Sequence, residues 1–325
     1  MSVLMFTFWK RPPREEGISC VMRVKDEADW VRLSILSILD FADEIIFVDN
    51  GSSDGSLRMV RELKEGYGIE KLKIFTFPEI DGVKVKTSDL YNFSFGRATK
   101  SWVFKWDGDF IARTDQLFSI MELKDLWGEY RHRADVFRIG GPNLFGDHLH
   151  YFYGPPDDIE FCFERYLFRN RRWTHQMAPH YENLVLKAHR RVMHIGPMAN
   201  PDDRRVYFHH LQGLKPDEKI AGRATLSLWW KFRQENPGSP KTCSQWLAEY
   251  WGTDDPKERV KKCMALFFET GRIKRYEKIG GAWGEYPTLM KPYLQNPRYE
   301  IVYENGAPAR RVTHADRAVP LAGER

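Results

Sequence analysis

Through the first third of the chain, short apolar runs alternate with segments whose apolar residues recur every three or four positions. GISCVMRV (Gly17 to Val24), EIIFVD (Glu44 to Asp49), LKIFTF (Leu72 to Phe77) and WVFKWD (Trp102 to Asp107) have the length and apolar character of buried strands. Between the first two, Trp30, Val31, Ile35, Ile38 and Leu39 share one helical face. Between the second and third, Leu57, Met59, Val60 and Leu63 form a similar, weaker stripe. Alternation of buried strands with amphipathic helices predicts an α/β fold, with a mostly parallel, Rossmann-like sheet covered on both faces. Ligands of such sheets sit beyond the carboxyl ends of the strands, which is where chemistry is to be sought.

From about Ala134 to Tyr207 the pattern changes. DVFRIG, HLHYFYG, EFCFERYLFR and RVMHIG are strand-like pieces between polar loops and predict a mixed or antiparallel extension. After Lys215-Pro216 the chain reads as helical, with Leu226, Leu228, Trp229, Trp230 and Phe232 early and a second stretch over Lys257 to Phe268. The organisation expected is a domain over 1–215, a helical C-terminal region over 216–300, and a loosely held tail over 301–325, rich in Arg, Ala, Gly and Pro.

Composition narrows the class of protein. The chain has 325 residues, 42% of them hydrophobic and 29% charged, which fits a folded domain and argues against disorder. No apolar run approaches the roughly 20 residues needed to cross a bilayer. The start, MSVLMFTFWKRPPREE, lacks the apolar centre and cleavage site of a secretion signal, so a cytoplasmic location is expected. Its aromatic and basic residues leave peripheral contact with the inner membrane face open. The four cysteines form no C-x-x-C pair, so neither a zinc knot nor a disulfide framework is expected, and Cys20 reads as a small buried hydrophobe. A net charge of +5 is modest, and basic clusters such as Arg169 to Arg172 read mostly as solvated surface. No nucleic-acid partner is expected.

Two acidic clusters end strands: Asp49 in VDNGSSDGS, and Asp107 with Asp109 in KWDGDF. Asp-Gly-Asp just past a buried strand aims carboxylates into the crevice above the sheet, and its glycine lets the backbone approach a ligand. Hard oxygen ligands in a pocket suit Mg2+ or Mn2+, which bridge diphosphates. The competing reading is a turn whose acids cap a helix beginning near Ala112. Asp49 has two compatible uses, closing a tight turn before the next helix and hydrogen-bonding a base or ribose, while Gly51 keeps the loop thin. Neither a Walker A loop nor a G-x-G-x-x-G fingerprint is present.

ISCVMRVKDEADWVRLSILSILDFADEIIFVDNGSSDGS resembles the opening of family 2 glycosyltransferases, and WVFKWDGDF is similar to that family's D-x-D segment. The resemblance is close over roughly Gly17 to Ile111. ERYLFRNRRWTHQMAPHYENLV and VYFHHLQGLKPDEK are similar to later segments of the bacterial members that decorate lipopolysaccharide or other surface glycans. There the family's adjacent His-Glu pair is split, as His180-Tyr181-Glu182.

The resemblance implies a GT-A fold, with a nucleotide-sugar half over about 17–111 and an acceptor and metal half over about 112–215. It implies that Arg23, Lys25, Glu27, Asp49 and Gly51 line the nucleoside pocket. Asp107 would meet the ribose or the metal, and Asp109 would hold a divalent ion, Mn2+ or Mg2+, against the diphosphate. His209 or His210 would add a metal contact; adjacent strand residues face opposite ways, so only one can reach it. Glu182 would be the general base for the acceptor hydroxyl, with Asp157, Asp158 and Glu160 as rivals. The activity implied is inverting transfer from a nucleoside-diphosphate sugar to a glycan or glycolipid. A non-catalytic glycan- or nucleotide-binding module and a nucleotidyltransferase are the competing functions.

Overall fold

The computed structural model describes residues 14–77, 87–115, 117–152, 164–170, 175–177, 183–185, 192–195, 205–269, 273–275, 285–304 and 307–313. The four expected strands form as β1 (Glu15–Val24), β2 (Glu44–Asp49), β3 (Leu72–Thr76) and β4 (Lys100–Trp106). Helices α1 (Val31–Ser37), α2 (Ser56–Tyr67) and α3 (Thr87–Phe95) separate them in the chain. β1 lies parallel to both β2 and β4, and β2 to β3.

Alternation along β1 feeds two cores. Ile18, Cys20, Met22 and Val24 pack with Val31 and Ile35 of α1 and Val60 and Leu63 of α2. Val21 faces the other way, towards Leu90, Tyr91 and Phe95 of α3. A strand apolar on both faces is what helices on both sides of the sheet require.

Beyond β5 (Phe110–Ala112) comes α4 (Ile120–Tyr130), closed by a capping box in which Ser119 and Glu122 satisfy each other's backbone amides. The competing reading of a capped helix near Ala112 is thus set aside: Phe110–Ala112 is a strand, and the acids of Asp-Gly-Asp cap no described helix. The mixed extension is present. β6 (Val136–Ile139), β9 (Glu164–Arg169) and β12 (Val192–Ile195) complete a seven-stranded sheet in the order β12-β6-β9-β4-β1-β2-β3, with β9 antiparallel to β4 and β6. A second sheet contains β7 (Asn143–Phe145), β8 (His150–Phe152), β13 (Phe208–Gly213), β14 (Ile273–Arg275) and β5.

The helical region comprises α5 (Asp217–Glu235), α6 (Cys243–Trp251) and α7 (Pro256–Glu269). The expected loose tail needs correction. Residues Tyr299–Glu304 (β15) and Ala307–Val312 (β16) pair as an antiparallel hairpin, while 314–325 lie outside the described residues. Arg310 anchors that hairpin: its side chain is buried, stacks 3.7 Å from the Tyr299 ring centre, donates to Gly146 O and forms an ion pair with Asp217.

The end of the sheet away from the acidic motifs is fastened by Glu44. Its buried carboxylate accepts from Ser19 Oγ, Thr99 N and Thr99 Oγ1 and pairs with Lys73. Burial raises its pKa, but these partners outweigh burial and hold it below the ordinary value of 4.5. A depressed carboxylate stabilises the fold above its unfolded pKa and loses that contribution as pH falls through the folded one. Glu44→Gln is thus expected to cost about 1–3 kcal/mol at pH 7. Denaturation midpoints of parent and variant should converge below about pH 4.5.

Candidate active site

The chemistry-bearing residues gather at the carboxyl ends of β1, β2 and β4. Asp49, the last residue of β2, is 2% exposed. Its Oδ2 accepts from the amides of Gly51 (3.0 Å) and Ser52 (3.2 Å), closing a turn in which Gly51 has φ 72°. Its Oδ1 is buried and accepts no hydrogen bond from a described residue. One oxygen closes the turn, and the other takes no part in it.

The two loops read separately in the sequence are one structure. Asp26 N donates to Ser52 Oγ, Glu27 N to Ser56 Oγ, Ala28 N to Asp54 Oδ2, and Ser53 N to Asp26 Oδ1. The short acids and serines of K-D-E-A and N-G-S-S-D-G-S satisfy each other's backbones, and Asp26 accepts a left-handed φ of 55° to do so. Lys219 of α5 clamps the assembly from outside, bonding Asp26 O (2.7 Å) and Asp54 (2.9 Å).

The Asp-Gly-Asp turn follows β4 and is pinned by two buried serines of α1. Ser34 Oγ donates to Asp107 O and accepts from Trp106 Nε1, while Ser37 Oγ accepts from Ala112 N. Gly108 serves a packing need beyond the expected ligand approach: a Cβ there would lie 3.1 Å from Val24 and 3.2 Å from Glu27. Asp109 is 2% exposed, and its carbonyl accepts from Leu211 N. That bond continues the antiparallel pairing of β5 with β13, which sets His210 opposite Phe110. His210 Nε2 thereby reaches 3.4 Å from Asp109 Oδ2, a hundred residues away in sequence.

Asp107, Asp109 and His210 each offer a ligand atom within 4.8 Å of the others. Asp109 Oδ2 is buried, with Lys215 Nζ at 2.6 Å and His210 Nε2 at 3.4 Å. Two carboxylates and an imidazole converging on such an oxygen fit a divalent ion of the Mn2+ or Mg2+ type. His209 is not part of the cluster. Strand alternation turns it to the other face, where it is fully buried 5.5 Å from the Tyr286 ring centre. Burial, and then Arg113, hold it well below the usual histidine range, so it stays neutral.

The remaining expected residues divide. Arg23 donates to Tyr91 Oη (2.9 Å) and stacks 4.4 Å from that ring centre, so α3 positions it. Lys25 is exposed at the end of β1 and makes no described contact with the acids. Glu27 lies beside the Asp109 cluster, its Oε1 2.6 Å from Lys215 Nζ. Glu182, Asp157, Asp158 and Glu160 lie outside the described residues.

Lys215 is the residue that sequence reading missed. Only 4% exposed, it bridges Glu27 and Asp109, with Nζ 2.6 Å from each. Burial raises the Asp109 pKa, but the Lys215 ammonium and then His210 outweigh it and hold this carboxyl well below the usual range. Glu27 goes the other way: burial and the Asp109 charge push it up to about 7, with Lys215 opposing.

The chain is similar to known proteins at the level of a family model and of solved structures. Residues 19–178 match the family model described as Glycosyl transferase family 2. No curated protein sequence matches the chain. Among solved structures, S. aureus TarS 1–349 is 13% identical, with 94% of this chain and 99% of that one covered and a TM-score of 0.41. A longer S. aureus TarS structure is 14% identical, with 91% and 60% covered and a TM-score of 0.44. Glucosyl-3-phosphoglycerate synthase from Mycobacterium tuberculosis, solved with Mg2+ and uridine diphosphate, is 19% identical, with 38% and 43% covered and a TM-score of 0.29. Spanning β1 to β10 (His175–Met177), the match makes residues 19–178 a glycosyl transferase family 2 domain, and the protein is a glycosyltransferase.

Proposed function

We propose that this enzyme transfers a sugar from a nucleoside-diphosphate donor to a hydroxyl of a glycan or glycolipid, in one displacement that inverts the anomeric carbon. The observation that carries the reading is the convergence of Asp107, Asp109 and His210 around a buried carboxylate oxygen, beside an Asp49 oxygen that accepts no hydrogen bond from a described residue. Asp107, Asp109 and His210 would hold a divalent ion, which would supply counter-charge for the leaving diphosphate. The protein's own groups do the rest. Asp49 Oδ1 receives a donor hydrogen bond from the base or ribose, and Arg23, fixed by Tyr91, lines the same pocket. The serine-laced loops hold both in place before the donor arrives, which limits the ordering cost of binding. Lys25 and Gly51 complete the donor side.

Glu182 is assigned, on the family resemblance, as the base that takes the acceptor proton. Its replacement by glutamine is expected to lower kcat about 100-fold or more while donor affinity is kept. Equal losses of kcat and donor affinity would remove it from that role. Among the described residues no helix is long and apolar enough to cross a membrane. The reading places the enzyme in the cytoplasm, at the inner membrane face when its acceptor is a glycolipid.

Thermal unfolding with UDP, GDP, CDP and dTDP, each with and without Mn2+, tests the donor site. A ligand at 100 times its Kd adds about 2.7 kcal/mol, a shift of several degrees. One diphosphate stabilising only with Mn2+ is the expected result. No shift with any of the four would favour a module that has the fold without the donor chemistry.

A further inference from the structure

Lys215 stands between two acids of the site. Glu27, Asp107 and Asp109 crowd together there, and Lys215 Nζ sits 2.6 Å from both Glu27 Oε1 and Asp109 Oδ2. That same Asp109 oxygen faces His210 Nε2. The ammonium therefore lies against the oxygen offered to a divalent ion. Like charges at contact distance in a buried site repel strongly, so an ammonium and a dication cannot share this oxygen.

The main chain around Lys215 is held firmly. Its carbonyl accepts from Arg310 Nη2 (2.7 Å), and the preceding carbonyl, Leu214 O, accepts from Trp30 Nε1 (2.8 Å). Arg310 is fixed in turn by Gly146 O, Asp217 and Tyr299. Trp30 is packed edge-on against Tyr293, 4.9 Å between ring centres. What remains free to change is the four-carbon stem, which carries a point charge through several rotamers. The C-terminal hairpin thus holds the base of a lysine whose tip stands in the donor site.

We propose that Lys215 is an internal counter-cation that yields Asp109 to the divalent ion and then contacts the donor diphosphate. This rests on the metal and donor reading given above and adds a residue and an order of loading to it. Metal alone must displace the ammonium, which then keeps Glu27 as its contact among the described residues. Metal arriving with a nucleoside diphosphate brings phosphate oxygens that receive it. Lys215 hence opposes binding of the ion by itself and favours binding of the ion and diphosphate together.

The test is binding, measured on the full chain by Mn2+ electron paramagnetic resonance and by calorimetry with UDP, GDP, CDP and dTDP. Lys215→Met is expected to bind Mn2+ alone about 10-fold more tightly than the parent, and the matching diphosphate at saturating Mn2+ about 10-fold more weakly. Opposite signs are the signature, since mere damage to the site would weaken both. Because Lys215→Met takes the shared cation from two buried acids, Glu27→Gln with Lys215→Met serves as a second, charge-balanced variant and should show the same pair of shifts. Mn2+ binding no tighter in either variant, or diphosphate binding unchanged, overturns the role of Lys215. Parent protein that binds Mn2+ with none of the four diphosphates, and behaves like Asp109→Asn, overturns the underlying metal reading and this inference with it.

Discussion

Replacing Asp109 by asparagine is expected to slow release of nucleoside diphosphate from the matched donor by about 1000-fold or more while the protein stays folded. The change keeps the shape of the side chain and the Leu211 N to Asp109 O bond that joins β5 to β13. It removes the charge that burial alone would have expelled and that Lys215 and His210 hold in place. Lys215 retains Glu27 at 2.6 Å, so the substitution leaves the lysine paired. Stability should therefore fall by no more than about 2 kcal/mol, read from the denaturation midpoint. A variant within tenfold of the parent rate would show that this carboxylate holds nothing the reaction needs.

The second large effect concerns how β13 is seated. A Cβ on Gly213 would stand 2.5 Å from Phe145 Cα and 2.8 Å from Leu144 O, both on β7. Backbone cannot yield as a flexible side chain can, so β13 must move away from β7. Gly213→Ala is expected to destabilise by about 3 kcal/mol. It should also weaken Mn2+ binding, because the same strand carries His210 and leads within two residues to Lys215. Gly222, within α5, has nothing within 4 Å of its would-be Cβ. There the same substitution should stabilise by about 0.5–1 kcal/mol, since alanine is the better helix former. Opposite signs at Gly213 and Gly222, measured by urea unfolding, would separate close packing from any general effect of the change.

What the sequence made legible and what it hid follow from the range of the contacts involved. β1 to β4 were legible because a strand buried on both faces must be a short continuous apolar run, and β2 was bounded to the residue by Glu44 and Asp49. The Asp-Gly-Asp cluster was found by its place after the fourth run, not by its three letters. That only one of two adjacent histidines reaches Asp109 follows from strand alternation alone. Lys215 gave no local sign: a lysine before Pro216 at a helix start looks solvent-exposed, and its burial depends on Glu27, 188 residues earlier. Arg310 and its hairpin were hidden for the same reason, because APARRV has no apolar alternation and its anchors, Gly146 and Asp217, are remote. α6 was missed although a signal was present. Thr242 and Gln245 form a T-x-x-Q capping box just before an apolar run.

The measurement closest to the central claim is anomalous diffraction at the manganese edge from crystals grown with Mn2+ and the diphosphate found by thermal unfolding. The account predicts one strong peak touching the carboxylates of Asp107 and Asp109 and the imidazole of His210, with the diphosphate on its open side and the Lys215 ammonium moved from Asp109 towards phosphate oxygen. A well-ordered nucleotide with no peak at this triad, or with the ion held elsewhere, would contradict it.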